Sequence, residues 1–273
     1  MGSNILSSDK GLKVSVLASG STGNVTYIET PEHKVLVDAG LSGKKIAGLM
    51  DSIGRDLNDV DSLFITHEHT DHIKGAGVLA RKYNLNVYAN KGTWAAIGSK
   101  IGKLDNAQKF IFDANTVKTL GDLDVESFSV SHDAAEPQFY EFHHDGKSFV
   151  ILTDTGYVSD RVAGTINNAD GYLFEVNHDM EMLRMGEYPW PLKQRILGDH
   201  GHLSNEDGAN ALMNVMGNRT KKIYLGHLSL HNNMKELAHL TVTSMMQNND
   251  LGVGHDFEVL DTDHEKADKL TLI

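Results

Sequence analysis

The chain reads as an α/β fold, a sandwich of two packed mixed sheets with helices on the outside. Three observations predict it. Groups of short apolar runs, bounded by Gly, Ser, Asn and Asp, are interrupted by helical stretches, and this grouping occurs twice along the chain. Several of the apolar runs stop at a His or an Asp, as strands do when their ends open onto a site. With 273 residues, 40% of them apolar, the chain can bury a full core. Only 4 prolines, no low-complexity tract and no fixed-period repeat leave nothing that resembles a linker.

Taken in order, residues 14–18, 25–29 and 34–38 read as consecutive strands, with the Gly/Ser loop 19–24 between the first two. A helix over 42–53 follows, with Ser42 as its N-cap. The run Ser62-Leu63-Phe64-Ile65 is a buried strand, and residues 73–83 read as the helix behind it. A short strand at 86–89 and a helix at 93–99 complete the first half. The second half opens with strands at 116–120, 123–130, 138–144 and 148–153. After it come a helix at 159–167, a strand at 171–176, a helix at 204–216, a strand at 222–225 and a helix at 234–246. Residues 257–260 and 270–272 read as terminal strands. Residues 1–11 are polar and are expected to be disordered, in part a remnant of expression; residues 12–273 are expected to form a single domain.

Composition narrows the chemistry. The absence of cysteine excludes disulfides, thiolate metal sites and cysteine nucleophiles together, so any metal must be held by nitrogen and oxygen. That ligand set suits zinc, manganese or iron(II). The formal net charge of -12 weighs mildly against a nucleic-acid substrate, and two divalent ions would restore positive charge where it matters. Basic spots at Lys44-Lys45, Arg81-Lys82 and Lys221-Lys222 are either phosphate contacts or solvated faces. No apolar stretch reaches the roughly 20 residues that span a bilayer, and no signal-peptide core follows Met1. A cytoplasmic location is expected, with no membrane partner.

The densest chemistry lies in Thr66-His67-Glu68-His69-Thr70-Asp71-His72, directly behind a buried strand. His67 and His69, two apart in near-extended chain, point to one side and can share an ion. Asp71 and His72 follow in the turn into the next helix, which can aim them at a second ion. His132, Asp154 and His227 each end an apolar run of their own. Singly, each is a capping or turn residue; together with the first loop they complete two metal spheres. Asp38, at the end of Val35-Leu36-Val37, is either a carboxylate that orients a ligand histidine or a plain turn aspartate before glycine.

The ordered set Asp38, His67-x-His69-x-Asp71-His72, His132, Asp154 and His227 resembles the metallo-β-lactamase superfamily over nearly the whole chain from Gly11 onward. The resemblance implies a four-layer αββα sandwich. It gives His67, His69 and His132 to one metal, Asp71, His72 and His227 to the other, and Asp154 to both. The segments Ala18–Asn24, Leu36–Ser42, Glu175–Asp179, Gly201–Asn205 and Gly226–Asn233 look like the YycJ/WalJ (VicX) subfamily. That subfamily implies a metal-dependent 5′→3′ DNA exonuclease, with DNA as substrate and a hydroxide bridging two ions about 3.5–4 Å apart as nucleophile. Asp71 would position that nucleophile. His202 would protonate the leaving oxygen, held by Glu175, with His200 as its competitor. Ser21, Thr22, Asn24, Ser204, Ser229 and Asn233 are expected to touch substrate or to serve turns and caps. His178 and His231 read as structural, and Trp94 and Trp190 as packing residues. The interval from Asp154 to His227 is too short for the large inserted domain of RNase J-like relatives. Alternatives on the same site are a small-molecule phosphodiesterase or an RNA-processing hydrolase; from another class, an accessory regulator of a cell-wall two-component system.

Overall fold

The computed structural model describes residues 11–273; the disorder expected for the N-terminus falls almost wholly outside them. The first half comprises β1 (Lys13–Ala18), β2 (Val25–Glu29), β3 (Lys34–Val37), α1 (Gly43–Ser52), β4 (Ser62–Phe64), α2 (Thr70–Ile73), α3 (Ala76–Tyr83), β5 (Asn86–Ala89), α4 (Lys91–Ile97) and β6 (Lys109–Ile111). The second comprises β7 (Val117–Leu120), β8 (Leu123–Ser129), β9 (Gln138–His144), β10 (Lys147–Leu152), α5 (Asp160–Thr165), β11 (Gly171–Glu175), α6 (Met180–Met185) and α7 (Trp190–Ile196). It continues through α8 (Asn205–Val215), β12 (Lys222–Gly226), α9 (Lys235–Asn248), β13 (Glu258–Asp261) and β14 (Thr271–Leu272).

The strands form two seven-stranded sheets, in the orders β14-β1-β2-β3-β4-β5-β6 and β13-β12-β11-β10-β9-β8-β7. In both, pairing is antiparallel at first and parallel from the middle strand outward. The last strand crosses back to pair with β1, Lys13 opposite Leu272. Alternation along β1 shows why the sheets face each other: Val14 and Val16 enter the core between them, while Leu17 joins the layer under α1 and α3. Phe64 is the keystone of the inner layer. It stacks on Tyr88 at 4.8 Å and meets Tyr140 and Phe142 of the other sheet edge-on at 5.5 and 5.9 Å. Tyr140 also donates its hydroxyl to the Ile65 carbonyl at 2.7 Å, so the strand that feeds the histidine loop is anchored across the sandwich.

Most expected elements are present. The helix expected over 73–83 is instead two, α2 and α3, parted at Gly75. The Gly75 N–H donates to the Ala39 carbonyl at 2.7 Å, and a Cβ there would lie 2.3 Å from the Leu41 carbonyl oxygen. Only glycine fits that approach, and the backbone bond diverts the chain from a continuous helix. β6, α6 and α7 went unpredicted. No helix among the described residues is long and apolar enough to cross a membrane.

Candidate metal centre

The residues that matter stand at strand ends on one rim. Val37, Leu152 and Gly226 close β3, β10 and β12, and Asp38, Asp154 and His227 follow within two positions. All three adopt left-handed backbone, with φ of 59°, 49° and 57°. Such conformations are costly for residues other than glycine and persist where the surroundings enforce them. Here the left-handed step turns the chain off its strand. Three loops are then stitched together beneath the site: Asn24 N–H to Asp71 O at 2.8 Å, Gly40 N–H to Asn24 O at 3.0 Å, and Ala39 N–H to His72 O at 2.7 Å. A Cβ on Gly40 would sit 1.6 Å from the Asp71 carbonyl oxygen, so the Asp38-Ala39-Gly40 turn has no room for a side chain.

Two ligand sets converge. His67 Nε2 and His132 Nε2 approach His69 Nδ1 at 3.1 and 3.4 Å. His72 Nε2 lies 3.4 Å from Asp71 Oδ2 and 3.3 Å from Asp154 Oδ2, while His227 Nε2 lies 3.2 Å from Asp154 Oδ1. Asp154 Oδ1 is also 3.8 Å from His132 Nε2, so its carboxylate stands between the sets. Candidate ligand atoms within each set lie within 4.8 Å of one another. Asp154 Oδ2 and His227 Nε2 are buried and satisfied by no protein hydrogen bond, which fits a cation as their partner.

Four of the five remaining ring nitrogens are within hydrogen-bond distance of a partner, as ligand histidines require. His72 Nδ1 meets Asp38 Oδ2 at 2.8 Å, His227 Nδ1 meets Glu175 Oε1 at 3.0 Å, His132 Nδ1 faces Gly201 O at 3.2 Å, and His67 Nδ1 faces Thr66 Oγ1 at 3.0 Å. His69 Nε2 points to Asp133 Oδ1 at 3.8 Å. Asp38 also accepts from Thr66 N–H at 2.9 Å, which fixes it as an orienting carboxylate rather than a free turn residue. Thr66 and Asp133 escaped the sequence reading, although each directly adjoins a candidate ligand in the chain.

Electrostatics divides the imidazoles. Burial, then His72, holds His67 well below the usual histidine range, and burial likewise lowers His132; both are neutral and ready to bind metal. Burial would lower His72 and His227 as well, but Asp154 heads the carboxylates that outweigh it, pushing His72 well up and His227 to about 10. Burial opposes ionisation of Asp154 too, yet His227 and His72 hold it well below the usual carboxylate range.

His202 lies at the cleft wall with Nδ1 2.7 Å from Glu175 Oε1, its ring 5.1 Å from that of His132 and 5.2 Å from that of His227. Glu175 is fully buried and also accepts from Thr155 N–H at 2.9 Å. Burial alone would raise its pKa; His202 and His227 instead hold it down to about 2, so it stays ionised. His200 is exposed, and its ring nitrogen faces Ser131 Oγ at 3.1 Å.

Of the expected substrate residues, Ser21 and Ser229 line the cleft. Asn24 instead reaches His72 Nε2 at 3.1 Å through its amide nitrogen, and Thr22 faces a neighbouring hollow beside Lys45 and His264. Ser204 and Asn233 are not brought to the cleft. Ser204 is buried and caps α8, accepting from Asp207 N–H at 3.0 Å; Asn233 spends its amide on Val176 O, Asn177 O and Asn205. Their polar atoms are committed inside the protein.

A histidine and aspartate centre at the strand ends of a four-layer αββα sandwich defines a metal-dependent hydrolase. The chain belongs to the beta-lactamase superfamily, whose domain matches residues 33–228. The membership expected from the motif is thereby borne out. It is 61% identical over 268 residues to the exodeoxyribonuclease WalJ of Streptococcus pneumoniae serotype 2, covering 97% of this chain and 100% of that one. It is 56% identical over 263 residues to the exodeoxyribonuclease YycJ of Bacillus anthracis, covering 96% and 100%. Among solved structures, the metallo-beta-lactamase fold protein YhfI of Bacillus subtilis shares the fold, with a TM-score of 0.70 at 15% identity over 94% of this chain and 98% of that one.

Proposed function

We propose that this chain is a 5′→3′ DNA exonuclease working with two divalent cations, zinc, manganese or iron(II). The observation that carries the reading is the convergence of both ligand sets in one cleft, in a chain this similar over its full length to named exodeoxyribonucleases. His67, His69 and His132 would hold one cation and Asp71, His72 and His227 the other, with the Asp154 carboxylate within reach of both sets. When bound, the cations would lower the pKa of a coordinated water and stabilise charge developing on the phosphate oxygens.

The chain's own groups do the rest. Asp71, on the cleft wall, accepts a hydrogen bond from the attacking water and aims it at phosphorus. Ser21 and Ser229 contact the phosphate. His202, its Nδ1 engaged by Glu175, gives the proton of its other nitrogen to the leaving 3′-oxygen; the ionised Glu175 keeps the ring oriented for that transfer. The described residues act as one domain, a reading supported by β14 closing back onto β1.

The test supplies metal-loaded protein with end-labelled duplex DNA, single-stranded DNA, RNA and a generic phosphodiester. Mononucleotides released from DNA support the proposal. Turnover of RNA or of the small ester alone replaces it with one of the sister activities, and no turnover with any metal points to a regulatory protein.

A further inference from the structure

The cleft at the ligands has a volume of about 240 Å³, below the roughly 300–1,000 Å³ of ordinary small-molecule pockets. A second hollow of about 450 Å³ adjoins it, and His132 and His200 line both. Its walls are the loop after β8, the loop after β10 and the first turn of α5.

Those walls are preorganised. Gly156 N–H donates to Ser131 O at 2.9 Å, Thr155 Oγ1 donates to Tyr157 O at 2.8 Å, and a Cβ on Gly156 would lie 2.1 Å from Asp199 O. The clamped loop displays the Tyr157 ring, 48% exposed, along the hollow. Arg161 lies beyond it. Its guanidinium donates to Ser129 Oγ at 2.7 Å, Ser129 O at 3.3 Å and Asn115 Oδ1, all neutral acceptors, and forms no ion pair among the described residues. Across the metal cleft, Arg195 is by contrast neutralised by Asp133. In a chain of net charge -12, a guanidinium with no carboxylate partner among the described residues, in a hollow that His132 also lines, is placed to receive an anion.

Resting on the exonuclease reading above, we propose that this groove seats the 5′-terminal nucleotide of the strand, its 5′-phosphate on Arg161 and its base on Tyr157. The groove joins the cleft at His132 and His200, and the His132 ring lies 5.1 Å from that of His202, which puts the groove on the side of the proton donor. In 5′→3′ hydrolysis water oxygen bonds to phosphorus, the P–O3′ bond breaks, and the 3′-oxygen takes its proton from His202. The attacked phosphate stays on the shortened strand, so the leaving group is the terminal nucleotide, and the charge it carries is its own 5′-phosphate. Each turnover also creates the 5′-phosphate that the groove receives next. Stacking on an exposed tyrosine tolerates any base, as an exonuclease needs.

The experiment compares kcat/KM on 5′-phosphorylated and 5′-hydroxyl DNA for the wild type, Arg161→Ala, Arg161→Lys, Tyr157→Ala and Tyr157→Phe. A charge-assisted hydrogen bond to phosphate gives the wild type a preference of about 10–100-fold for the phosphorylated end. Arg161→Ala brings the ratio to about one and Arg161→Lys keeps part of it; Tyr157→Ala raises KM for both ends, and Tyr157→Phe does not. DNA hydrolysis with no 5′-phosphate preference, or a preference that survives in Arg161→Ala, overturns the groove assignment while leaving the exonuclease reading intact. No DNA hydrolysis by the wild type overturns both.

Discussion

Replacing His202 with alanine separates proton delivery from metal binding. The side chain is 21% exposed and sits at the wall of the cleft, so its removal opens no core cavity. Glu175 loses its contact at 2.7 Å but keeps His227 Nδ1 at 3.0 Å and the Thr155 N–H at 2.9 Å, which preserves the partner that orients a metal ligand. Metal content should therefore match the wild type. General acid catalysis is worth about 10²–10⁴ in rate, or about 2.7–5.4 kcal/mol of barrier, so kcat on DNA falls by that factor with little change in KM. The assay pairs DNA with a p-nitrophenyl phosphodiester, whose leaving group needs no proton. The variant should lose far less activity on the nitrophenyl ester than on DNA. Equal losses on both substrates would refute proton donation and reassign His202 to positioning; near wild-type DNA turnover at full metal content would remove it from the reaction.

Asp38→Asn tolerates the left-handed backbone but weakens the partner of His72 Nδ1, so metal affinity falls about 10–100-fold in a chelator competition while the fold persists. With His227 held up to about 10 in the metal-free site, loading at pH 7 displaces its proton; calorimetry in buffers of different ionisation enthalpy should register at least one proton released. Glu141 supplies a pH test away from the centre. Burial raises its folded-state pKa to about 7, so its stabilising contribution is complete below the unfolded value near 4.3 and is lost as pH rises through about 7. Thermal unfolding of Glu141→Gln should lack that decline between pH 5 and 8, which for the wild type is on the order of 3 kcal/mol.

The site was legible because its ligands end apolar runs. Buried strands carry their signal in Val35-Leu36-Val37 or Ile223-Tyr224-Leu225, and residues just past strands that run in the same direction share a rim. His132, Asp154 and His227 could thus be grouped with the first loop despite their distance in sequence. The partners of the ligands were less visible. Asp133 and Thr66 act through geometry around a ring nitrogen, and the left-handed backbone at Asp154 and His227 leaves no mark in residue type. β6 has three residues, none of them buried, too few for periodicity to register. α6 and α7 are single short helices, stapled by buried Lys193 donating to Arg184 O and Gly186 O at 2.8 and 2.7 Å, a tertiary contact with no local signature. Ser204 and Asn233 stand in motif segments yet serve a helix cap and a buried amide network, because a motif preserves a loop's framework as well as its chemistry.

The most direct test of the account follows the first product from duplex DNA labelled at its 5′ end, with metal-loaded wild type and Asp154→Asn side by side. The account predicts a labelled mononucleotide as the earliest product of the wild type, and loss of both bound metal and product in Asp154→Asn. A ladder of labelled fragments shortening from the 3′ end, or full activity in Asp154→Asn, would contradict it.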